Sequence, residues 1–147
     1  MTESKEDLFC FDNYSPIHEY RKHRTGGGVS LFVRYDILFQ RRKDLEYFDS
    51  EMESICIEID KSVFSTNSNI IITLVYRMPD SNVDIFRERM DTILNTVICK
   101  EKKLYYLMGD LNVCLLKSDS HKYTLDLLNM FYSHSVFPLI NLSLIHI

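Results

Sequence analysis

Apolar and polar positions along the chain change period several times, and the changes predict a β-rich domain with helices laid on it. Between Glu53 and Ile59 the alternation is clean. Ile55, Ile57 and Ile59 share one face and Ser54, Cys56 and Glu58 the other, as a half-buried strand requires. The run Ile70-Ile71-Ile72-Thr73-Leu74-Val75-Tyr76 is apolar on both faces, which predicts a central strand. Val29–Val33 and Leu104-Tyr105-Tyr106-Leu107-Met108 read as two more strands, the second buried and ended by the turn freedom of Gly109. Over residues 82–98 the period becomes helical. Phe86, Met90, Ile93, Leu94 and Val97 form a core stripe, Arg87, Glu88, Arg89 and Asp91 lie largely opposite, and Asp80-Ser81-Asn82 offers N-cap oxygens. A second helix is expected over His121–Ser133, with Leu125, Leu128 and Tyr132 on one stripe, and Phe137–Asn141 reads as the start of a further strand. Between these elements, Asn13-Tyr14-Ser15-Pro16 is a turn or an extended approach. Arg21–Gly28 is a glycine-ended hairpin loop, residues 37–48 an irregular connection or short strand, and residues 61–69 a hairpin loop.

Composition narrows the class. A chain of 147 residues fits one domain, and 46% hydrophobic residues with nine Phe can build its core. No run approaches the roughly 18 apolar residues that cross a bilayer, and Met1–Asp7 is polar and acidic, so a soluble, intracellular protein without a membrane partner is expected. Cys10, Cys56, Cys99 and Cys114 are scattered with no C-x-x-C pair, which argues against zinc. Cys56, inside a strand pattern, and Cys99, near a helix end, read as reduced, packed thiols. The net charge of −4 argues against a nucleic-acid partner, whereas the local runs Arg21-Lys22-His23-Arg24 and Arg41-Arg42-Lys43 leave basic surface, read first as solvated loops.

Two stretches carry candidate chemistry. In Gly109-Asp110-Leu111-Asn112, a chain that stays extended past the glycine puts a carboxylate and a carboxamide on one side at the end of a strand. The carboxyl ends of strands are where open α/β sheets hold ligands. Asp can take or orient a proton, and an Asn amide can donate to a phosphoryl oxygen. The same tetrapeptide is also turn chemistry, because Asp and Asn bond their own backbone and tolerate left-handed conformations. The second stretch is the strand ending in Tyr76-Arg77-Met78-Pro79.

Taken with their spacing, and with Gly26-Gly27-Gly28 before Val29–Val33 and Glu53–Ile59, these motifs resemble the endonuclease/exonuclease/phosphatase superfamily. More narrowly, the chain is similar to the apurinic-endonuclease-like domain of non-LTR (LINE-type) retrotransposons, in which a strand ending Tyr-Arg-x-Pro precedes a helix and a strand ending Gly-Asp-Phe-Asn. Leu111 stands here in place of that Phe, and Met78 where Pro is common. The resemblance implies an α/β fold, a partial four-layer α/β sandwich of mostly antiparallel sheet with covering helices. It treats residues 1–147 as one incomplete domain lacking the N-terminal strand and the C-terminal strands, truncated or joined to unrelated sequence at its end. It implies a DNA-nicking phosphodiesterase dependent on Mg²⁺ (or Mn²⁺), acting on DNA in the nucleus, with a reverse transcriptase domain downstream in a longer polyprotein.

By the same resemblance Asp110 orients or deprotonates the nucleophile, or protonates the leaving oxygen. Asn112 and Tyr76 donate to the scissile phosphate, Glu3 of Thr2-Glu3-Ser4 holds the metal, and Arg77, Arg24 and Arg21 contact DNA. The family's catalytic Asp-His pair has no counterpart, since no Asp-His dipeptide occurs and His121 reads as a helix-start residue, so the chain alone is expected to be inactive or nearly so. Two further readings stand beside this one: a catalytically dead relic or binding fragment of the same fold, and another phosphoesterase of the superfamily acting on lipids or inositol phosphates.

Overall fold

A computed structural model describes residues 11–19, 28–114 and 121–139. Its elements, in chain order, are β1 (Tyr14–Glu19), β2 (Val29–Arg34), β3 (Phe39–Arg41), β4 (Met52–Ile59), α1 (Lys61–Phe64), β5 (Ile70–Arg77), α2 (Val83–Leu94), β6 (Leu104–Asp110) and α3 (Lys122–Ser133). The fold is mixed α/β. A four-stranded sheet runs β3-β4-β5-β6, and β1 and β2 form a separate antiparallel hairpin. β3, β4 and β5 pair antiparallel, whereas β6 lies parallel to β5, because the connection through α2 carries the chain back to the starting end of β5.

Two apolar clusters sandwich this sheet. On one face Met52, Cys56, Ile71 and Val75 meet Phe86, Met90, Ile93, Leu94 and Val97 of the α2 stripe, together with Leu127 and Phe131 of α3. On the other face Ile55, Ile57, Ile59 and Ile70 meet Val29 and Val33 of the hairpin. The layers therefore run helices, sheet, hairpin. Being covered twice, β4 is buried at all eight positions rather than half-buried as its alternation predicts. Its polar residues are accommodated by bonds: Ser54 Oγ accepts from Tyr47 N–H at 2.8 Å, and Glu58 sits among cations.

β6 corrects its expectation in the opposite direction. It is an edge strand, with Tyr105 and Leu107 packed toward the helices. Leu104, Tyr106 and Met108, on the hairpin side, are 45%, 48% and 45% exposed, so an apolar run of this length did not mean burial on both faces. The helix over 82–98 forms as expected and continues into a wider π turn, Asn95–Lys100. Asn82 caps it, with Oδ1 accepting from the N–H groups of Asp84 and Ile85 at 2.9 and 3.3 Å. Asn82→Ala should lower stability by about 1 kcal/mol, read as a shift of the urea midpoint without a change of slope.

The buried stripe of α3 is Thr124, Leu127, Leu128 and Phe131, whereas Leu125 and Tyr132, assigned to that stripe from the sequence, are 45% and 44% exposed. Helical spacing alone left two adjacent stripes to choose between, and packing on α2 selects this one. Asn13–Pro16, expected as a turn or an extended approach, leads into a full strand, Tyr14–Glu19, paired with β2. Residues 61–69 contain the short α1, residues 39–41 the short β3, and no strand forms over 137–139; Ile140 and Asn141 lie outside the described residues.

Candidate functional site

The parallel pairing of β5 and β6 brings their carboxyl ends to one edge of the molecule. Tyr76 and Asp110 are direct register partners there, so they share a face on strands about 4.8 Å apart. Glu53, at the start of β4, is the partner of Tyr76 on its other side. A row Glu53–Tyr76–Asp110 thus crosses three strands on the hairpin-facing side.

The strand does not stop at Gly109. It runs through the glycine to Asp110, and Gly109 adopts φ +121° within it. A Cβ at this position would lie 1.9 Å from the Val75 carbonyl oxygen, so the close approach of β6 to β5 demands glycine. Beyond Asp110 the chain turns. Asn112 is left-handed, at φ 48°, and its N–H donates to Asp110 Oδ1 at 2.8 Å. The turn reading of the tetrapeptide holds: Asp110 closes a turn on its own backbone, and that turn, rather than an extended chain, brings Asn112 to the strand end. Asn112 Nδ2 donates to the Arg77 carbonyl at 2.7 Å, one of its two amide hydrogens. Asp110 and Asn112 are exposed, and Tyr76 is partly buried against the hairpin cluster.

Arg77 holds this turn. It is 3% exposed, and its guanidinium donates to Leu111 O at 2.6 Å, Asn112 O at 2.8 Å, Ser81 O at 3.1 Å and Ser81 Oγ at 2.8 Å. Burial draws its pKa down, while the charges of Asp110 and Glu51 act in the opposite direction. The sequence reading sends Arg77 to DNA, but a guanidinium committed to four oxygens of its own chain positions the site instead. Motif reading names the residue but cannot tell which way it points.

Glu53 is the residue that motif reading passed over. It is fully buried, and its Oε2 accepts from Gly28 N–H at 3.0 Å, tying the end of the triple-glycine run to the strand beside Tyr76. The signal was present in the pattern: Glu53 occupies the same face as Ile55, Ile57 and Ile59, an acidic residue in an apolar row.

The basic residues separate. Arg21 and Arg24, and the expected metal ligand Glu3, lie outside the described residues. Arg41 pairs with Glu19 and Glu46, and Arg42 with Asp44, Glu58 and Glu101, so these two side chains are bound into the fold rather than solvated in a loop. The Arg42 network lies around Glu58, toward the opposite end of β4 from Glu53. Among the described residues no group of three or more His, Cys, Asp or Glu side chains is arranged to hold a metal ion. The two carboxylates of the row differ in kind, one exposed and one buried against Gly28, and they do not by themselves complete an Mg²⁺ site. Among the described residues, no helix is long and apolar enough to cross a membrane.

Comparison with family models, with curated proteins and with solved structures returns no match.

Proposed function

We propose that this edge is the phosphodiester-handling site of a DNA-nicking domain of the endonuclease/exonuclease/phosphatase type, similar to those of LINE-type retrotransposons. The supporting observation is the register pairing of Tyr76 with Asp110, with Asn112 bonded to the residue after Tyr76, at the carboxyl ends of two parallel strands. The layer order of helices, sheet and hairpin agrees with part of a four-layer sandwich.

In this reading Tyr76 O–H and the second amide hydrogen of Asn112 donate to a non-bridging phosphate oxygen, where charge grows in the transition state. Asp110, with Oδ1 engaged by its own turn, offers Oδ2 to orient an attacking water or to pass a proton to the leaving oxygen. Arg77 and Glu53 act through other residues, the first fixing the 111–112 turn and the second fixing the start of β2. Dependence on Mg²⁺, and a ligand role for Glu3, belong to the proposal through the resemblance.

The 147 residues contain no Asp-His dipeptide. Among the described residues an Asp–His contact forms between Asp91 and His134, on the helix side of the sheet, away from the face that carries Tyr76. Loss of a general base costs about 10²–10⁴-fold in rate, so residues 1–147 should nick supercoiled plasmid slowly. The nicking should require Mg²⁺ and disappear in both Asp110→Ala and Tyr76→Phe, with no phosphate released from small phosphoesters. Nicking that survives Asp110→Ala overturns the site assignment. Absence of nicking over long incubations, with the fold intact by circular dichroism, favours the relic reading, to which the missing dipeptide also points. Phosphate release from inositol phosphates favours the third.

A further inference from the structure

On the helix layer, three side chains stand in the order that activates a thiol. Cys99 Sγ lies 3.9 Å from His134 Nδ1, and His134 Nε2 lies 2.7 Å from Asp91 Oδ1. Cys99 is exposed, the imidazole is 11% exposed and the Asp91 side chain 56% exposed, so the ring is held while the sulfur remains reachable. From sequence Cys99 reads as a packed thiol, and the reason it is not packed lies in the helix. In a regular α-helix eight residues overshoot two turns by roughly 80°, which would carry Cys99 away from the Asp91 face. The π turn Asn95–Lys100 advances less per residue and returns Cys99 toward Asp91, where the end of α3 supplies His134 as its C-cap residue.

The proton positions follow from the partners. A carboxylate only accepts, so Nε2 carries the hydrogen given to Asp91, which leaves Nδ1 as the ring nitrogen that faces the thiol. The carbonyl end of α3 favours the positive charge the ring takes up when it accepts the thiol proton. Nucleophile, base and orienting carboxylate are thus in hydrogen-bond sequence.

We infer that Cys99, activated by His134 and positioned by Asp91, is a thiol–disulfide exchange site that takes a low-molecular-weight disulfide. Cys99 passes its proton to Nδ1, and the thiolate attacks one sulfur of the disulfide. A bond forms between Sγ and that sulfur while the original S–S bond breaks. The departing thiolate then receives the proton from His134. Cys99 is oxidised and the small disulfide is reduced to one thiol plus the half retained on the protein, so no further oxidant is required. Asp91 is a positioning residue. The site does not depend on the phosphodiester reading, since it lies on the other side of the sheet.

Other cysteines of the chain provide internal comparisons. Cys114 is exposed as well, whereas Cys56 is buried and its thiol is pushed up to about 11 by burial. The experiment treats folded residues 1–147 with glutathione disulfide at pH 7 and follows the mixed disulfide on each cysteine by mass spectrometry. An unassisted thiol is only a few per cent thiolate at this pH, so Cys99 should react roughly tenfold faster than Cys114, with Cys56 inert. His134→Gln should bring Cys99 to the rate of Cys114. Asp91→Asn should slow it, and Asp91→Glu should restore most of the loss. If His134→Gln perturbs the fold by circular dichroism, the two Asp91 variants decide alone. A Cys99 rate within twofold of Cys114, or one unmoved by Asp91→Asn, overturns the inference.

Discussion

Gly109→Ala is expected to destabilise the fold severely. The added methyl would sit 1.9 Å from the carbonyl oxygen of Val75, and it would do so on a backbone with φ +121°, where side chains are rarely accommodated. Moving β6 away would break its parallel pairing with β5 from Val75 onward, including the Tyr76–Asp110 register, and would loosen Arg77 from Leu111 and Asn112. Neither the clash nor the strain can relax locally, because the oxygen belongs to a strand buried between two layers. A loss of about 3 kcal/mol or more is expected, a large share of the total for a domain of this size. Urea unfolding followed by far-ultraviolet circular dichroism measures it. A variant whose midpoint matches that of the parent chain would show that β6 and β5 do not approach as described.

The second large effect concerns Glu58. Its carboxylate, 4% exposed, accepts from Arg42 at 2.8 Å, Lys103 at 2.7 Å and Asn69 at 2.7 Å. Burial alone would push this carboxyl up, but the donors Lys103, Asn69 and Arg42 together outweigh it and hold the group down at about 2. The sign follows. A carboxyl depressed in the folded state contributes its stability above the unfolded value near 4.5, and that contribution is lost as the pH falls from there toward about 2. Stability should therefore drop by roughly 3 kcal/mol between pH 5 and pH 2 from this group. Glu58→Gln should lose about 3 kcal/mol at pH 7, because Arg42 and Lys103 are left with less charge to meet, and should flatten the acid limb. Denaturant midpoints at pH 7, 5 and 3 for both proteins test this. An acid limb unchanged in the variant would remove Glu58 as its source.

Much of the strand and helix pattern was legible from the sequence because it depends on period alone. The strands at 29–34, 52–59, 70–77 and 104–110 and the helix from 83 follow apolar spacing closely. What period cannot express is which neighbour covers which face. The misjudged burials of β4 and β6 have that origin: β4 is covered by the hairpin as well as the helices, and β6 is covered on one side only. At the site, the resemblance implied that Tyr76, Asp110 and Asn112 act on one phosphate and so stand at one end of the sheet, but it did not give the register that makes Tyr76 and Asp110 partners. The inward turn of Arg77 was not, because a cation beside a polar motif reads the same whether it faces a ligand or its own backbone carbonyls. The Cys99–His134–Asp91 contact had no sequence signal, since its members lie on two helices brought together by packing.

Glu53 and Glu58 also limit how β4 can pair. They are five positions apart in one strand, an odd separation, so they occupy opposite faces: Glu53 among the hairpin-side residues at Gly28, Glu58 among the helix-side cations. Sliding β4 by one residue would send each carboxylate to the face where the other belongs. Glu58 would enter the isoleucine layer without Arg42 or Lys103, and those cations would meet an apolar side chain. Each misplaced charge costs several kcal/mol, so the two acids act as a parity check on a strand whose apolar residues alone would tolerate the slip.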